Sequence, residues 1–215
     1  DHRPRPEQRD FHVENDEKKQ KTTAKAGASL LLQLTHSAGI YEAAQSLNMR
    51  PHRGFQDGDH VVAAICLNTL GYSCCDDLEY LRKDAVLGTL HQKLKGHFGV
   101  EGRTEEAFPS PSAFRKWVHD LGDSPKSLKR LQELPAQVAA YAQERNPQKE
   151  ATLDSDASFV PTTRGEAPWN YKGEQANESF NLYWEEQDMM LHSEYTPGMS
   201  LPKRILWGFY SGAWK

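Results

Sequence analysis

Thr152-Leu153-Asp154-Ser155-Asp156-Ala157-Ser158-Phe159-Val160-Pro161 is the stretch on which the fold class turns. Its side chains alternate. Leu153, Ser155, Ala157 and Phe159 point one way, and Asp154, Asp156, Ser158 and Val160 the other, the period-two pattern of a β-strand. Pro161 has no N–H for a ladder and should stop it. After a polar loop through Pro168, Asn170 and Gly173, Phe180, Leu182 and Trp184 alternate with Asn181, Tyr183 and Glu185, a second strand. Glu186-Gln187-Asp188 can turn the chain. Met189, Leu191, Ser193 and Tyr195 then alternate with Met190, His192 and Glu194, a third strand closed by Thr196-Pro197-Gly198. Consecutive strands with short connections pair antiparallel, so the expectation is a three-stranded meander.

Upstream the period changes to that of a helix. Ile40, Ala43, Ala44 and Leu47 fall at i, i+3, i+4 and i+7. Asp57 can cap a helix whose run Val61-Val62-Ala63-Ala64-Ile65-Cys66-Leu67 is apolar nearly all round and therefore buried on most sides. Shorter helices are expected around Asp76 to Arg82 and Asp84 to Lys95, the second with Leu87, Leu90 and Leu94 on its core face. Cys66 reads as a packed thiol. The class is α+β, an all-α N-terminal region followed by antiparallel strands. The expected divisions are a mixed-charge flexible arm (1–25), a helical region (26–147), the strands (148–198) and an atypical tail (199–215).

Ser110-Pro111 is a strong helix start, since proline at the first helical position lacks only an N–H that would be unpaired anyway. Phe114, Trp117, Val118 and Leu121 repeat at helical spacing, and Gly122 can supply a left-handed residue to end the helix. Ser124-Pro125 starts another at once, and Pro135 should bend or break it. Two helices on so short a turn can form a helix-turn-helix. Lys126, Lys129 and Arg130 share a face of the second. With Arg115 and Lys116 they belong to a segment, 111–149, holding seven basic and four acidic residues. Two readings stand, a solvated helical hairpin and a DNA-contacting face.

Composition narrows the class. The 215 residues are 37% hydrophobic and carry a formal net charge of −4, which excludes an overall cationic nucleic-acid coat but not a local basic face. Three cysteines, two of them adjacent (Cys74, Cys75), make no disulfide scaffold. No apolar run approaches the roughly 20 residues that span a bilayer, so no membrane partner is expected and the reading is cytoplasmic. Asp154 and Asp156, two apart on one strand face, are separated by roughly 7 Å. Aspartate is a poor strand former. The pair reads either as a solvent-facing surface or as a hard-cation site for phosphoryl transfer.

Residues 152–158, followed by Trp169-Asn170-Tyr171-Lys172-Gly173, by Asn181-Leu182-Tyr183-Trp184-Glu185-Glu186-Gln187-Asp188 and by His192-Ser193-Glu194, resemble bacterial insertion-sequence transposases of the DDE class. Arg53-Gly54-Phe55-Gln56-Asp57-Gly58, Cys75-Asp76-Asp77-Leu78-Glu79 and Ser110-Pro111-Ser112-Ala113-Phe114-Arg115-Lys116-Trp117 resemble the helical N-terminal region of the same family. The resemblance implies a ribonuclease H-like core, metal-dependent DNA strand cleavage and transfer, Mg²⁺ or Mn²⁺ as cofactor, transposon-end DNA as partner, possible self-association, and a bacterial, nucleoid-associated location. The family's first carboxylate precedes a small residue and then Ser or Thr, which maps onto Asp156, Ala157 and Ser158, with Asp154 as its neighbour at the metal. Lys172 joins the candidate DNA contacts.

The family places its second aspartate on a later strand and its glutamate on a helix. No Asp or Glu follows Glu194 here, and the basic, aromatic residues 199–215 do not resemble the family's continuation. The expectation is a transposase fragment, truncated or frameshifted near residue 198 and inactive as given. The alternative is a DNA-binding module without chemistry that interferes with a full-length transposase.

Overall fold

The computed structural model describes residues 23–49, 54–97, 106–162, 165, 167, 169–170 and 172–196. The expectations for residues 1–22 of the arm and for the tail lie outside them. The chain divides into two compact units, one to Val138 and one from Ala139, so the boundary falls inside the last helix.

The first unit is helical: α1 (Ala26–Ser37), α2 (Ile40–Gln45), α3 (Asp57–Thr69), a 3-10 turn (Cys75–Asp77), α4 (Leu78–Arg82), α5 (Ala85–His97), α6 (Pro111–Gly122), α7 (Pro125–Gln132) and the start of α8 (Leu134–Arg145). Gly39, at φ 71°, takes the left-handed conformation that reverses α1 into α2. α3 packs on α1 and α2, and α5 packs on α1. Leu32, Tyr41, Val62, Leu78, Leu81 and Leu87 are wholly buried. Each aliphatic side chain among them contributes about 2 kcal/mol of transfer free energy.

Several helix signals act differently from the sequence expectation. The N-cap of α3 is Gln56, not Asp57. Its N–H donates to Asp59 Oδ2 at 2.8 Å, while Asp57 is already helical and its carboxylate is used elsewhere. On α5 the core side is Leu87, His91 and Lys95, at successive steps of four, and Leu90 and Leu94 are only half-buried. Gly122 stays within α6 and Asp123 keeps right-handed backbone (φ −81°), because the next helix begins within two residues. The serine-proline starts do hold. Ser110 Oγ accepts the Ala113 N–H at 3.2 Å, and Ser124 Oγ accepts that of Ser127 at 3.4 Å. Pro135 marks a break: α7 ends at Gln132, and the proline sits in the first turn of α8, where its missing N–H costs nothing.

The second unit carries β1 (Leu153–Pro161), β2 (Ala176–Trp184) and β3 (Met189–Thr196) in the order β1-β2-β3, antiparallel throughout. The β1–β2 connection folds back at Asn170, whose Oδ1 accepts the N–H groups of Lys172 and Glu174 (2.9 and 3.0 Å), with Gly173 at φ 75°. The β2–β3 turn is held by Glu186, whose carboxylate accepts the N–H and hydroxyl of Thr152. Gln187 donates to Gln143 and to the Asn146 carbonyl at the end of α8. The expected alternation of β3 is interrupted: Tyr183 faces Met190 but Leu182 faces His192, so Leu191 is an extra residue, a bulge.

Candidate functional site

Directly opposed residues of an antiparallel pair project from the same face. Asp154 lies opposite Tyr183, and Asp156 opposite Asn181, which in turn lies opposite Ser193. The row Asp156–Asn181–Ser193 is therefore polar. Ser158 Oγ–H donates to Asp156 Oδ2 at 3.2 Å, and Ser193 Oγ–H donates to Asn181 Oδ1 at 2.8 Å. The neighbouring row Ala157–Phe180–Glu194 faces the other way. Glu194 thus sits on the opposite side of the sheet from the aspartates, 3.5 Å from His192, and cannot share a metal with them. Every residue of β1 is exposed except half-buried Phe159, whereas Phe180, Leu182 and Trp184 of β2 are buried. The aspartates are open to solvent and to a large ligand. Among the described residues, no three His, Cys, Asp or Glu side chains gather to hold a metal ion.

The basic candidates do not all stand free. Arg115 pairs with Asp76 at 2.5 Å, and Arg130 donates to the Ser46 carbonyl. Both are tied to the helical framework. Lys116, Lys126 and Lys129 are exposed, the last two on one face of α7. The start of α7 is anchored by Ser127 Oγ–H, which donates to the Leu47 carbonyl at 3.0 Å. Lys172 is exposed on the β1–β2 connection of the other unit.

A cluster that the sequence reading missed lies inside the helical unit. Asp59 is 1% exposed, His91 is 0%, Lys95 is 1% and His36 is 2%. Asp59 Oδ1 receives Lys95 Nζ at 2.8 Å and His91 Nε2 at 3.0 Å, with Tyr41 OH at 3.4 Å. His91 Nδ1 meets His36 Nε2 at 3.4 Å. The carboxylate is acceptor-only, so His91 carries its proton on Nε2. Its Nδ1 then accepts, and His36 donates from Nε2. Burial favours two neutral imidazoles here, beside one compensated Asp–Lys pair. Burial works against the Asp59 charge, but the hydrogen bond from His91 and the Lys95 ammonium outweigh it and hold the carboxyl below its usual range. Burial lowers His91, and burial followed by the neighbouring His91 lowers His36 to about 4. Burial and the Asp59 charge raise the Tyr41 phenol.

Beside this cluster, Asp57 accepts Trp117 Nε1–H and the Met49 N–H, each at 2.8 Å, and the His60 ring stacks on Trp117 with centroids 5.0 Å apart. His36, Asp57, Asp59, His60, His91 and Lys95 thus place polar side chains in the buried interior of the helical unit. Asp59, His91 and Lys95 are closed off from solvent and tie α3 to α5. Spacing gave one usable signal: His91 and Lys95 continue the Leu87 stripe by steps of four.

Comparison with protein-family models, with curated proteins and with solved structures finds no match to this chain. No described helix is long and apolar enough to cross a membrane.

Proposed function

We propose that this chain acts on DNA as part of a DDE-class transposase, with β1–β3 as the opening strands of a ribonuclease H-like core. The observation that supports the reading most is the aspartate pair at the middle of an exposed first strand in a β1-β2-β3 meander that follows a helical region. Carboxylate and hydroxyl oxygens are hard donors, the chemistry Mg²⁺ and Mn²⁺ prefer. Asp156 would hold the metal, Asp154 would supply further negative charge on the same face, and Ser158 orients one oxygen of Asp156. When bound, the metal supplies charge neutralisation for the attacking and leaving oxygens of a phosphodiester. Lys126, Lys129 and Lys116 supply phosphate contacts from the helical unit.

The second reading, a DNA-binding module without chemistry, rests on a separate observation: on the aspartate face of the described strands, Asp154 and Asp156 are the two carboxylates, and Glu194 lies on the other face. One experiment distinguishes the two. Mn²⁺ binding followed by electron paramagnetic resonance, in the presence of a duplex, should weaken about tenfold or more in Asp156→Asn while duplex affinity is unchanged. Equal Mn²⁺ binding in wild type and variant, with duplex binding intact, selects the non-catalytic module. Loss of duplex binding at low salt in the wild type removes both.

A further inference from the structure

The helical unit ends its third helix in a turn that carries two adjacent thiols. Cys74 is exposed and Cys75 half-exposed, and neither is in a disulfide. The remaining cysteine of the chain, Cys66, is fully buried in α3, where burial pushes its thiol up to about 12. The two accessible thiols of this protein are therefore neighbours in sequence. The backbone holds them there. Asp77 Oδ2 accepts the N–H groups of Ser73 and Cys74 at 3.2 and 3.1 Å, and the Cys74 thiol at 3.4 Å, which caps the 3-10 turn Cys75–Asp77.

The peptide joining the pair is trans, so its Cα atoms lie about 3.8 Å apart. Disulfides usually need about 4.4–6.8 Å between Cα atoms. A direct S–S bond across this peptide is strained and hence easily reduced. A larger bridging atom with two bonds to sulfur relieves the mismatch, and the two accessible thiols, adjacent on one short turn, are the pair it would span.

We propose that Cys74 and Cys75 form a dithiol site for three-coordinate thiophilic centres, the class of trivalent arsenicals and antimonials. With an arylarsenic(III) oxide, two S–H bonds break and two As–S bonds form. The arsenic-bound oxygen leaves as water with both protons, and arsenic stays trivalent, so no oxidant or reductant is needed. The second As–S bond is intramolecular. It should raise apparent affinity about 100-fold or more over a single thiol, the usual gain from effective concentration.

The test uses the full chain and phenylarsine oxide, read by intact-mass spectrometry in excess glutathione, a monothiol that competes away singly attached arsenic. The expected result is one phenylarsenic group per chain, retained in glutathione and stripped by a small dithiol. Peptide mapping after alkylation should find Cys74 and Cys75 both protected. Cys74→Ser and Cys75→Ser should each lose the retained adduct, and Cys66→Ser should keep it. A wild-type chain with no glutathione-resistant adduct, or an adduct surviving in either exposed-cysteine variant, overturns the proposal. So does ready closure of a Cys74–Cys75 disulfide by diamide in the folded protein. The peptide map on the wild type decides the matter even if a serine variant folds poorly.

Discussion

Lowering the pH from 7.5 to 5 should cost the helical unit about 2 kcal/mol through His36 alone. Its imidazole is held at about 4, against 6.5 when exposed, because it is buried beside His91 and Lys95 with only the Asp59 charge acting in the opposite direction. The sign follows from which state takes the proton. As pH falls through 6.5 the unfolded chain protonates His36 first, while the folded chain resists until about pH 4. Stability from this group is therefore complete above pH 6.5 and is lost between 6.5 and 4. At about 1.4 kcal/mol per pH unit the full loss is about 3 kcal/mol, of which about 2 has occurred by pH 5. His91, lowered in the same direction, adds to it. Asp59 lies below its usual range and stays ionised in this window, so its loss belongs to more acid conditions. Urea unfolding followed by helical circular dichroism at pH 7.5, 6.5, 5.5 and 5 reads the effect. With a slope of about 2 kcal/mol per molar urea, the midpoint should fall by about 1 M or more. His36→Gln should flatten that dependence, whatever its own stability. A midpoint unchanged between pH 7.5 and 5 would refute the neutral, hydrogen-bonded histidine pair.

Three further outcomes follow from the same geometry. A Cβ on Gly58 would lie 2.8 Å from the Tyr41 ring and 2.7 Å from Gln45 Nε2, so Gly58→Ala should destabilise by about 1–3 kcal/mol in a thermal melt. Asp59→Asn should cost about 3–5 kcal/mol by stranding the Lys95 ammonium, and adding Lys95→Met should recover a measurable part of it in a denaturation cycle. Lys126→Gln with Lys129→Gln should lower the log–log salt slope of duplex binding by about 2 in a gel-shift titration, whereas Arg130→Gln, already tied to Ser46, should barely change it.

Local signals carried much of the fold. The period-two runs located all three strands, and Ser110-Pro111 and Ser124-Pro125 located two helix starts, because cap and proline chemistry acts within three residues. Signals that depend on partners far along the chain were not legible. The core face of α5 was read as Leu87, Leu90 and Leu94, without His91 and Lys95, because what buries those two is Asp59, 32 residues before His91. Asp57 looked like a cap, but its ligands are Trp117, 60 residues on, and the Met49 backbone. The bulge at Leu191 had no composition signal. Of the candidate site, the shared face of Asp154 and Asp156 was readable from strand period alone. The placement of Glu194 on the reverse face needed the pairing register. The occupied state of Arg115 and Arg130 needed the tertiary fold.

The position of Asp154 and Asp156 has a consequence for self-assembly. Among the described residues β1 is a nine-residue sheet edge, exposed along nearly its whole length, with outward-facing backbone groups that β2 does not use. A second copy of the strand laid against that edge would bring like carboxylates together at about 7 Å intervals, and this repulsion discourages fibre growth. The same two side chains proposed as cation ligands also act as gatekeepers of the edge. Neutralising them with asparagine keeps the shape but removes the guard, so a loss of Mn²⁺ binding in an Asp156→Asn preparation has two separate routes, a missing ligand or a strand edge closed by association. Light scattering on the same sample tells which one was taken.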